Sequence, residues 1–391
     1  MNTKRNLKEL LNRRVDQILP NKNDFEKVIK TKKIRVYLGI DPTNTRLHLG
    51  HTIALKKLQE FADFGQEAIL IIGTGTVLTG DPSQRAKARK KISRQEVKEN
   101  IKTWKRQAGK ILDFSKVKVR YNGEWLLKLK LEDIINIASN ISAIKLFQRD
   151  MFQRRIKQGE TVWTHEALYP LLQGYDSVAL DVDLEIGGTD QIFNMLIGRE
   201  LQKKMNNREK FVLTTPMILG IDGQQMSKTS QNCVWIEDSA KDMYGKIMSM
   251  PDNAMFEYFE LLTEVPLSEI EKLKKDKTNP RDVKAMLARE IVTFYYGSKK
   301  AIDTEEEFKK VFEQGNLPKD IAEIKIKEKE LSLLDLLVKI KLVSSKTKAK
   351  QLVLQGGVKI ENEVQKDWQK IIKIKKGTIV QVGKRNFAKL C

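Results

Sequence analysis

Three short apolar runs end in glycine-containing turns. KIRVYLGI (33–40) runs into DPTNT, AILIIGTGT covers 68–76, and LDVDLEIGGTD covers 180–190. Runs of this length, bounded by turn residues, read as buried strands rather than helices. The third alternates Leu180, Val182, Leu184 and Ile186 before its Gly-Gly turn. Between them the apolar spacing changes to that of a helix, as at Ile53, Leu55, Leu58, Phe61 and Ala62, and again in QIFNMLIGRELQKKM. KFVLTTPMIL adds a further strand. Strands alternating with helices predict a parallel α/β sheet covered on both faces. Ligands of such sheets bind at the carboxyl ends of the strands, which here are the turns at 41–51, 73–85 and 187–191.

From 236 to 318 the pattern is helical, as in SAKDMYGKIMSM, AMFEYFELL and PRDVKAMLAREIVTFYYG. The charged stretch 319–330 reads as a linker. In 331–391, SSKTKAKQLVLQ predicts a helix capped by Ser344 or Ser345, Gly356-Gly357 turns it into VKIENE, and TIVQVGKRNFAKL closes as strand. At the other end, Leu7, Leu10, Leu11, Val15, Ile18 and Leu19 have the spacing of an N-terminal helix.

The 391 residues carry a net charge of +21. Residues 331–391 hold 14 Lys and Arg against 4 Asp and Glu, a net +10. So concentrated a surplus predicts a small basic module that binds nucleic acid. Cys233 and Cys391 are the only cysteines, which excludes a disulfide framework and a cysteine-based zinc site. No run approaches the roughly 20 apolar residues that span a bilayer, and the N-terminus lacks a signal-peptide core. The expectation is a cytoplasmic protein without membrane contact.

LHLGHTIAL (47–55) contains two of the three histidines, His48 and His51. A zinc site needs a third protein ligand, yet the other histidine, His165, is remote in sequence and no HExxH motif exists. No metal site is therefore expected. A satisfied structural pair is a second reading. The third fits the context better: strand, turn, Gly50 and a helix N-terminus make an anion site, where two imidazoles add donors to phosphate oxygens. The chain has no GxxxxGK[ST] and no GxGxxG after a strand.

His48-Leu49-Gly50-His51 resembles the HIGH motif of class I aminoacyl-tRNA synthetases, and QMSKT (225–229) resembles their KMSKS motif. YLGIDPT (37–43), GDPS (80–83), NGEWL (122–126), LYPLLQGYDS (168–177), IGGTDQ (186–191) and FAKL near the end resemble segments of bacterial tyrosyl-tRNA synthetases, in the family's order. The resemblance spans nearly the whole chain. It implies a Rossmann-type parallel-sheet catalytic domain (1–235), an α-helical domain (236–318), the linker and a small α+β S4-like RNA-binding domain (331–391).

The reaction so implied joins the carboxylate of tyrosine to the α-phosphate of ATP, releases pyrophosphate, and passes the tyrosyl group to the terminal adenosine of tRNA(Tyr). Chemistry of this kind needs positioning and charge stabilisation rather than a protein nucleophile. The resemblance gives those tasks to His48, His51, Thr43 and Lys228, with Mg²⁺ accompanying ATP. It places Asp81, Tyr169 and Gln173 on the α-amino group of tyrosine, and Tyr37 and Asp176 on the phenolic hydroxyl. Gly39, Asp41, Gly50, Gly188, Asp190, Gln191, Lys228 and Thr229 fall at its nucleotide positions. Bland roles stand beside several of these. GDPS suits an ordinary turn, Tyr37 a core position on a strand, and Asp190 a helix N-cap. A carboxylate in the apolar setting of LLQGYDSVAL is costly unless it has work to do, which favours function for Asp176. The family also implies a homodimer.

Three positions depart from the family pattern. Gln225 replaces the first lysine of KMSKS, Gln84 stands where glycine is usual with Arg85 beside it at a basic position, and Thr74 alters the GTGT loop. They leave open a catalytically weak RNA-binding paralogue. Tyr37, Asp176 and the basic tail oppose a tryptophanyl enzyme, and a generic nucleotidyltransferase explains neither LLQGYDS nor the tail. The basic run 85–106, with ten Lys and Arg, reads as a solvated helix face or a contact for the tRNA acceptor arm.

Overall fold

The computed structural model describes residues 7–43, 45–82, 93–227, 230, 232–276, 278–312, 321–326, 328–383 and 386–391. Contacts divide the chain into two compact units, Met1–Ser239 with Lys246–Leu287, and Ala240–Gly245 with Ala288–Cys391.

The first unit is built on a six-stranded sheet: β1 (Gln17–Leu19), β2 (Arg35–Ile40), β3 (Glu67–Ile72), β4 (Val117–Tyr121), β5 (Leu184–Gly188) and β6 (Phe211–Thr215), in the order β1-β6-β5-β2-β3-β4. β2 to β6 pair in parallel. The chain leaves β2 for β3 on one side and later returns as β5 on the other. The crevice between β2 and β5 is therefore the topological switch point, where such sheets bind ligands.

The edge strand β1 runs antiparallel to β6, so the sheet is mixed rather than wholly parallel. It also corrects the N-terminal helix expected from spacing. The helix α1 covers only Leu7–Leu10, and Ile18 pairs with Leu213 in the sheet. Arg14, at φ 58°, turns the chain out of helical geometry, and its fully buried guanidinium donates to the carbonyls of Leu261 and Thr263 and pairs with Glu60. Local periodicity did not anticipate that anchor.

Helices connect the strands of the sheet. They are α2 (Lys22–Thr31), α3 (Leu49–Asp63), α4 (Arg94–Ala108), α5 (Gly123–Leu126), α6 (Leu131–Ser139), α7 (Ala143–Phe147), α8 (Asp150–Lys157), α9 (Thr164–Leu180) and α10 (Ile192–Asn206). α9 and α10 approach closely because glycines meet at their crossing. A Cβ on Gly174 would lie 3.0 Å from the Gly198 Cα and 2.9 Å from Leu201 Cδ1. This brings Gln173 and Ser177 of α9 against α10, where Asn194 donates to Gln173 and Gly198 lies beside Ser177.

Further on come α11 (Ala240–Met248), α12 (Met255–Leu262), α13 (Leu267–Lys275), α14 (Pro280–Tyr296) and α15 (Ser298–Phe312), the helices expected between 236 and 318. The second unit ends in β7 (Ala322–Ile324), β8 (Glu330–Ser332), α16 (Leu333–Lys339), α17 (Lys346–Leu354), β9 (Val358–Ile360), β10 (Glu363–Val364), β11 (Ile371–Lys373), β12 (Ile379–Val382) and β13 (Asn386–Leu390). Ser345 caps α17 by accepting from the Lys348 N–H. Leu333, Leu336, Val353, Val358, Val380 and Leu390 are among its core residues. Part of the stretch read as a linker is strand. β7 adds in parallel to β13, through backbone hydrogen bonds that a charged sequence does not advertise. No described helix is long and apolar enough to cross a membrane.

Gly174→Ala is expected to lower stability by about 1–3 kcal/mol, because the added methyl has no room at the α9–α10 crossing. Denaturant unfolding of the variant beside the parent measures it.

Candidate functional site

Polar groups from the carboxyl ends of β2, β3 and β5 meet others from α9, α10 and the segment after β4 at the crevice. Two chains of side-chain hydrogen bonds run through it. The first starts at Asp81, which accepts from Gln191 Nε2 at 3.0 Å; Gln191 Nε2 also donates to Asp190 at 2.9 Å. Asn194 Nδ2 donates to both Gln191 Oε1 (2.9 Å) and Gln173 Oε1 (3.0 Å). Gln173 Nε2 donates to Glu185 at 3.1 Å, and the other oxygen of Glu185 pairs with Lys210. Lys210 Nζ donates to Ser177 Oγ at 2.7 Å, and Ser177 Oγ lies 2.8 Å from the Tyr37 hydroxyl. One continuous path thus joins Asp81 to Tyr37.

The second chain starts at Tyr169, whose hydroxyl donates to Asp41 at 3.0 Å. Thr76 Oγ1 donates to the other Asp41 oxygen at 2.7 Å and accepts from Asn122 Nδ2 at 3.0 Å. Asn122 Nδ2 also donates to Asp176 at 3.1 Å, while Trp125 Nε1 donates to its second oxygen at 2.8 Å. Asp41 and Tyr169, given separate tasks by sequence, are thereby hydrogen-bonded to each other.

Tyr37 and Asp176 are both buried. Burial pushes the Asp176 carboxyl well above its ordinary value, against the pull of the Asn122 and Trp125 donors. Burial, with Glu185 and Asp176 nearby, also raises the Tyr37 phenol. Asp190 is raised by burial and by the charge of Asp81, and Arg149 opposes this; burial in turn lowers the Arg149 guanidinium. A Cβ on Gly188 would lie 2.5 Å from Asp190 Oδ1, so only glycine leaves that carboxylate its place.

His48 and His51 stand at the start of α3, their ring centroids 3.7 Å apart. The His48 backbone N–H donates to His51 Nδ1 at 3.1 Å, which puts the proton of a neutral His51 on Nε2. Trp235 lies edge-on to His48 and Trp104 edge-on to His51. A Cβ on Gly50 would come 3.0 Å from the His48 ring and press on it, so glycine leaves that ring its place. Thr43 lies in the turn after β2, its N–H donating to the Asp41 carbonyl, and Gly39 lies on β2 opposite Ile71. Among the described residues no group of three or more His, Cys, Asp or Glu could hold a metal ion.

Lys228 and Thr229 lie outside the described residues. The loop before them is held by Asn232, whose Nδ2 donates to Asp222 and to the Gln225 carbonyl (3.0 Å), and whose Oδ1 accepts from the Ser227 N–H (2.9 Å).

Reading the sequence missed Asn122, Trp125, Ser177, Glu185, Asn194 and Lys210. NGEWL and LYPLLQGYDS contain three of them, and the strand alternation that placed Ile186 inward disguised Glu185 as a surface residue. In a sheet covered on both faces, both sets of strand side chains are buried.

A sheet of five parallel strands with an antiparallel edge, polar groups gathered at its switch point and paired histidines opening a helix, has the form of a class I aminoacyl-tRNA synthetase core. The family profile described as tRNA synthetases class I (W and Y) matches residues 29–313, and that of the tyrosine–tRNA ligase SYY-like C-terminal domain matches 312–390. The chain is 41% identical to the tyrosine–tRNA ligase of Thermotoga maritima over 98% of its own length and 96% of that protein. With the tyrosine–tRNA ligase of Mannheimia succiniciproducens it shares 41% identity over 97% of each chain. Among solved structures, a C-terminally truncated mitochondrial tyrosyl-tRNA synthetase from Aspergillus nidulans superposes with a TM-score of 0.66 at 22% identity, covering 76% of this chain and 91% of that one. The chain belongs to the bacterial tyrosyl-tRNA synthetase family.

Lys210→Met is expected to destabilise the fold by about 3–5 kcal/mol, because it leaves the Glu185 carboxylate buried without its cation. Equilibrium unfolding in urea at neutral pH checks this.

Proposed function

We propose that the chain is a tyrosine–tRNA ligase whose two hydrogen-bonded chains hold the two ends of tyrosine. Family membership over almost the full length makes it an aminoacyl-tRNA synthetase with ATP as substrate. The observation that carries the assignment of residues is the continuous path from Asp81 to Tyr37. It offers carboxylate and amide oxygens at one end and a buried hydroxyl at the other, with Asp176 held nearby by Asn122 and Trp125.

Asp81, Gln173 and Tyr169 take the ammonium group of tyrosine. Tyr37 and Asp176 take its phenol, which accepts from the first and donates to the second. Gly39, Asp41, Gly188, Asp190 and Gln191 line the adenosine side, with carboxylates suited to ribose hydroxyls. At the start of α3, the N–H groups, the helix dipole and the imidazole donors of His48 and His51 face the phosphates, with Gly50 allowing close approach. By family resemblance Thr43, Lys228 and Thr229 are assigned to the same phosphates. With these donors in place, the tyrosine carboxylate attacks the α-phosphorus, the bond to the β-phosphate oxygen breaks, and pyrophosphate leaves with the electron pair. The 3'-terminal ribose hydroxyl of tRNA(Tyr) then attacks the tyrosyl carbonyl and AMP departs. Mg²⁺ accompanying ATP would supply charge neutralisation at the phosphates; among the described residues no group of three or more His, Cys, Asp or Glu could hold it.

The basic module at 331–391 binds the tRNA, in keeping with its net +10. The activity goes with a cytoplasmic location. A homodimer is supported by exposed apolar side chains that follow one another along α5 to α9. Leu127, Leu131, Ile135, Ile144, Ile156 and Trp163 are each 50–72% exposed, more apolar surface than a monomer needs.

ATP–pyrophosphate exchange in the absence of tRNA, run with tyrosine, phenylalanine and tryptophan, tests the activity. Exchange is expected with tyrosine alone. Asp176→Ala is expected to lower tyrosine kcat/KM by about 10- to 100-fold, the cost of leaving a buried polar partner unmade. No exchange with any of the three from folded protein would refute the reading. For the dimer, sedimentation of an Ile135→Asp, Ile144→Asp double variant is expected to give a monomer where the parent gives twice that mass.

A further inference from the structure

Lys210 precedes β6, is fully buried, and is used by none of the steps above. Its Nζ pairs with Glu185, lies 2.7 Å from Ser177 Oγ, and stands 5.8 Å from the centre of the Tyr37 ring. Ser177 is equally buried and touches the Tyr37 hydroxyl at 2.8 Å. We propose that Lys210 and Ser177 are positioning residues for tyrosine selection, forming with Tyr37 a hydrogen-bond relay whose direction makes Tyr37 present its O–H to the substrate phenol. The inference rests on the assignment of Tyr37 and Asp176 to that phenol.

The direction follows from what each group is able to do. A lysine ammonium has donors and no acceptor. It therefore occupies a lone pair of Ser177 Oγ, and its charge polarises the serine O–H outward, which makes Ser177 the better donor toward Tyr37. The competing acceptor is Glu185, to which the Tyr37 hydroxyl is also hydrogen-bonded. Its two oxygens accept as well from Gln173 Nε2 and from Lys210, which weakens it as an acceptor for Tyr37. With the Tyr37 oxygen accepting from Ser177, a bound substrate oxygen takes the Tyr37 proton in place of Glu185.

At the far end stands Asp176, an acceptor whose orientation is held by Asn122 and Trp125. A chain that starts on a donor-only group and ends on an acceptor has one consistent order of protons: Lys210 to Ser177, Ser177 to Tyr37, Tyr37 to the substrate oxygen, and the substrate O–H to Asp176. A ligand completes it only with a group that accepts and donates at the same atom. Phenylalanine does neither. The other arm of the Lys210–Glu185 pair reaches Gln173, so one buried ion pair orients groups at both ends of the bound amino acid.

The test is a double-mutant cycle on the full chain, read by ATP–pyrophosphate exchange with tyrosine and with phenylalanine. Ser177→Ala cuts the relay while leaving the ion pair intact. It is expected to lower the tyrosine-to-phenylalanine ratio of kcat/KM by about 10-fold, mainly through the KM for tyrosine. In a Tyr37→Phe background the same change is expected to alter that ratio by less than about twofold, because the relay is already cut. Lys210→Met, its folding checked by circular dichroism, is expected to follow Ser177→Ala in this ratio; if it does not fold, the Ser177 cycle decides alone. A ratio unchanged in Ser177→Ala, or an equal loss in both backgrounds, would overturn the relay while the activity stands. A parent lacking tyrosine-dependent exchange would overturn the activity reading and, with it, the substrate the relay serves.

Discussion

The Lys210–Glu185 ion pair, buried beneath the crevice, ties two neighbouring strands of the sheet to a helix. Glu185 lies on β5, Lys210 leads into β6, and through Ser177 and Gln173 the pair reaches α9. Two charges removed from water are tolerated only when the remaining donors and lone pairs find partners. Ser177 and Gln173 meet that requirement, and both belong to the polar lining of the site. The same interaction therefore holds α9 to the sheet and orients the groups that would face a ligand.

That arrangement depends on the sheet order. Because β2 sits between β3 and β5, with later strands added on the opposite side from earlier ones, a crevice opens at its carboxyl end. Asp41, Asp81, Gly188 and Asp190 come from turns far apart in sequence and meet there. The glycine crossing of α9 and α10 does the rest, since closer helix axes let Asn194 bridge Gln173 and Gln191.

Legibility differed by kind of residue. Short apolar runs at Tyr37 and Ile71 announced their strands, because a strand covered on both faces needs apolar side chains throughout. His48, Gly50 and His51 were conspicuous because two of the chain's three histidines stand three residues apart with a glycine between them. Glu185 and Lys210 were not, since an isolated charge in a sequence looks like a surface charge whatever it pairs with in space. Asn122 and Trp125 lay inside a recognised segment without their task being visible, for the carboxylate they orient is some fifty positions further along the chain. The N-terminal segment misled outright. Ile18 and Leu19 fit a helical spacing, but their backbone groups pair instead with the edge of β6, a partner remote in sequence.

The sequence by itself determined the α/β alternation, the basic C-terminal stretch and the family, and it singled out the carboxyl-end turns around which polar groups gather. All of these reside in local pattern and composition. The tertiary structure alone decided which carboxylates are buried, which donors hold them, and that Asp81 and Tyr37 are ends of one connected path. Those depend on strand order and helix approach, which bring together groups that no spacing along the chain relates.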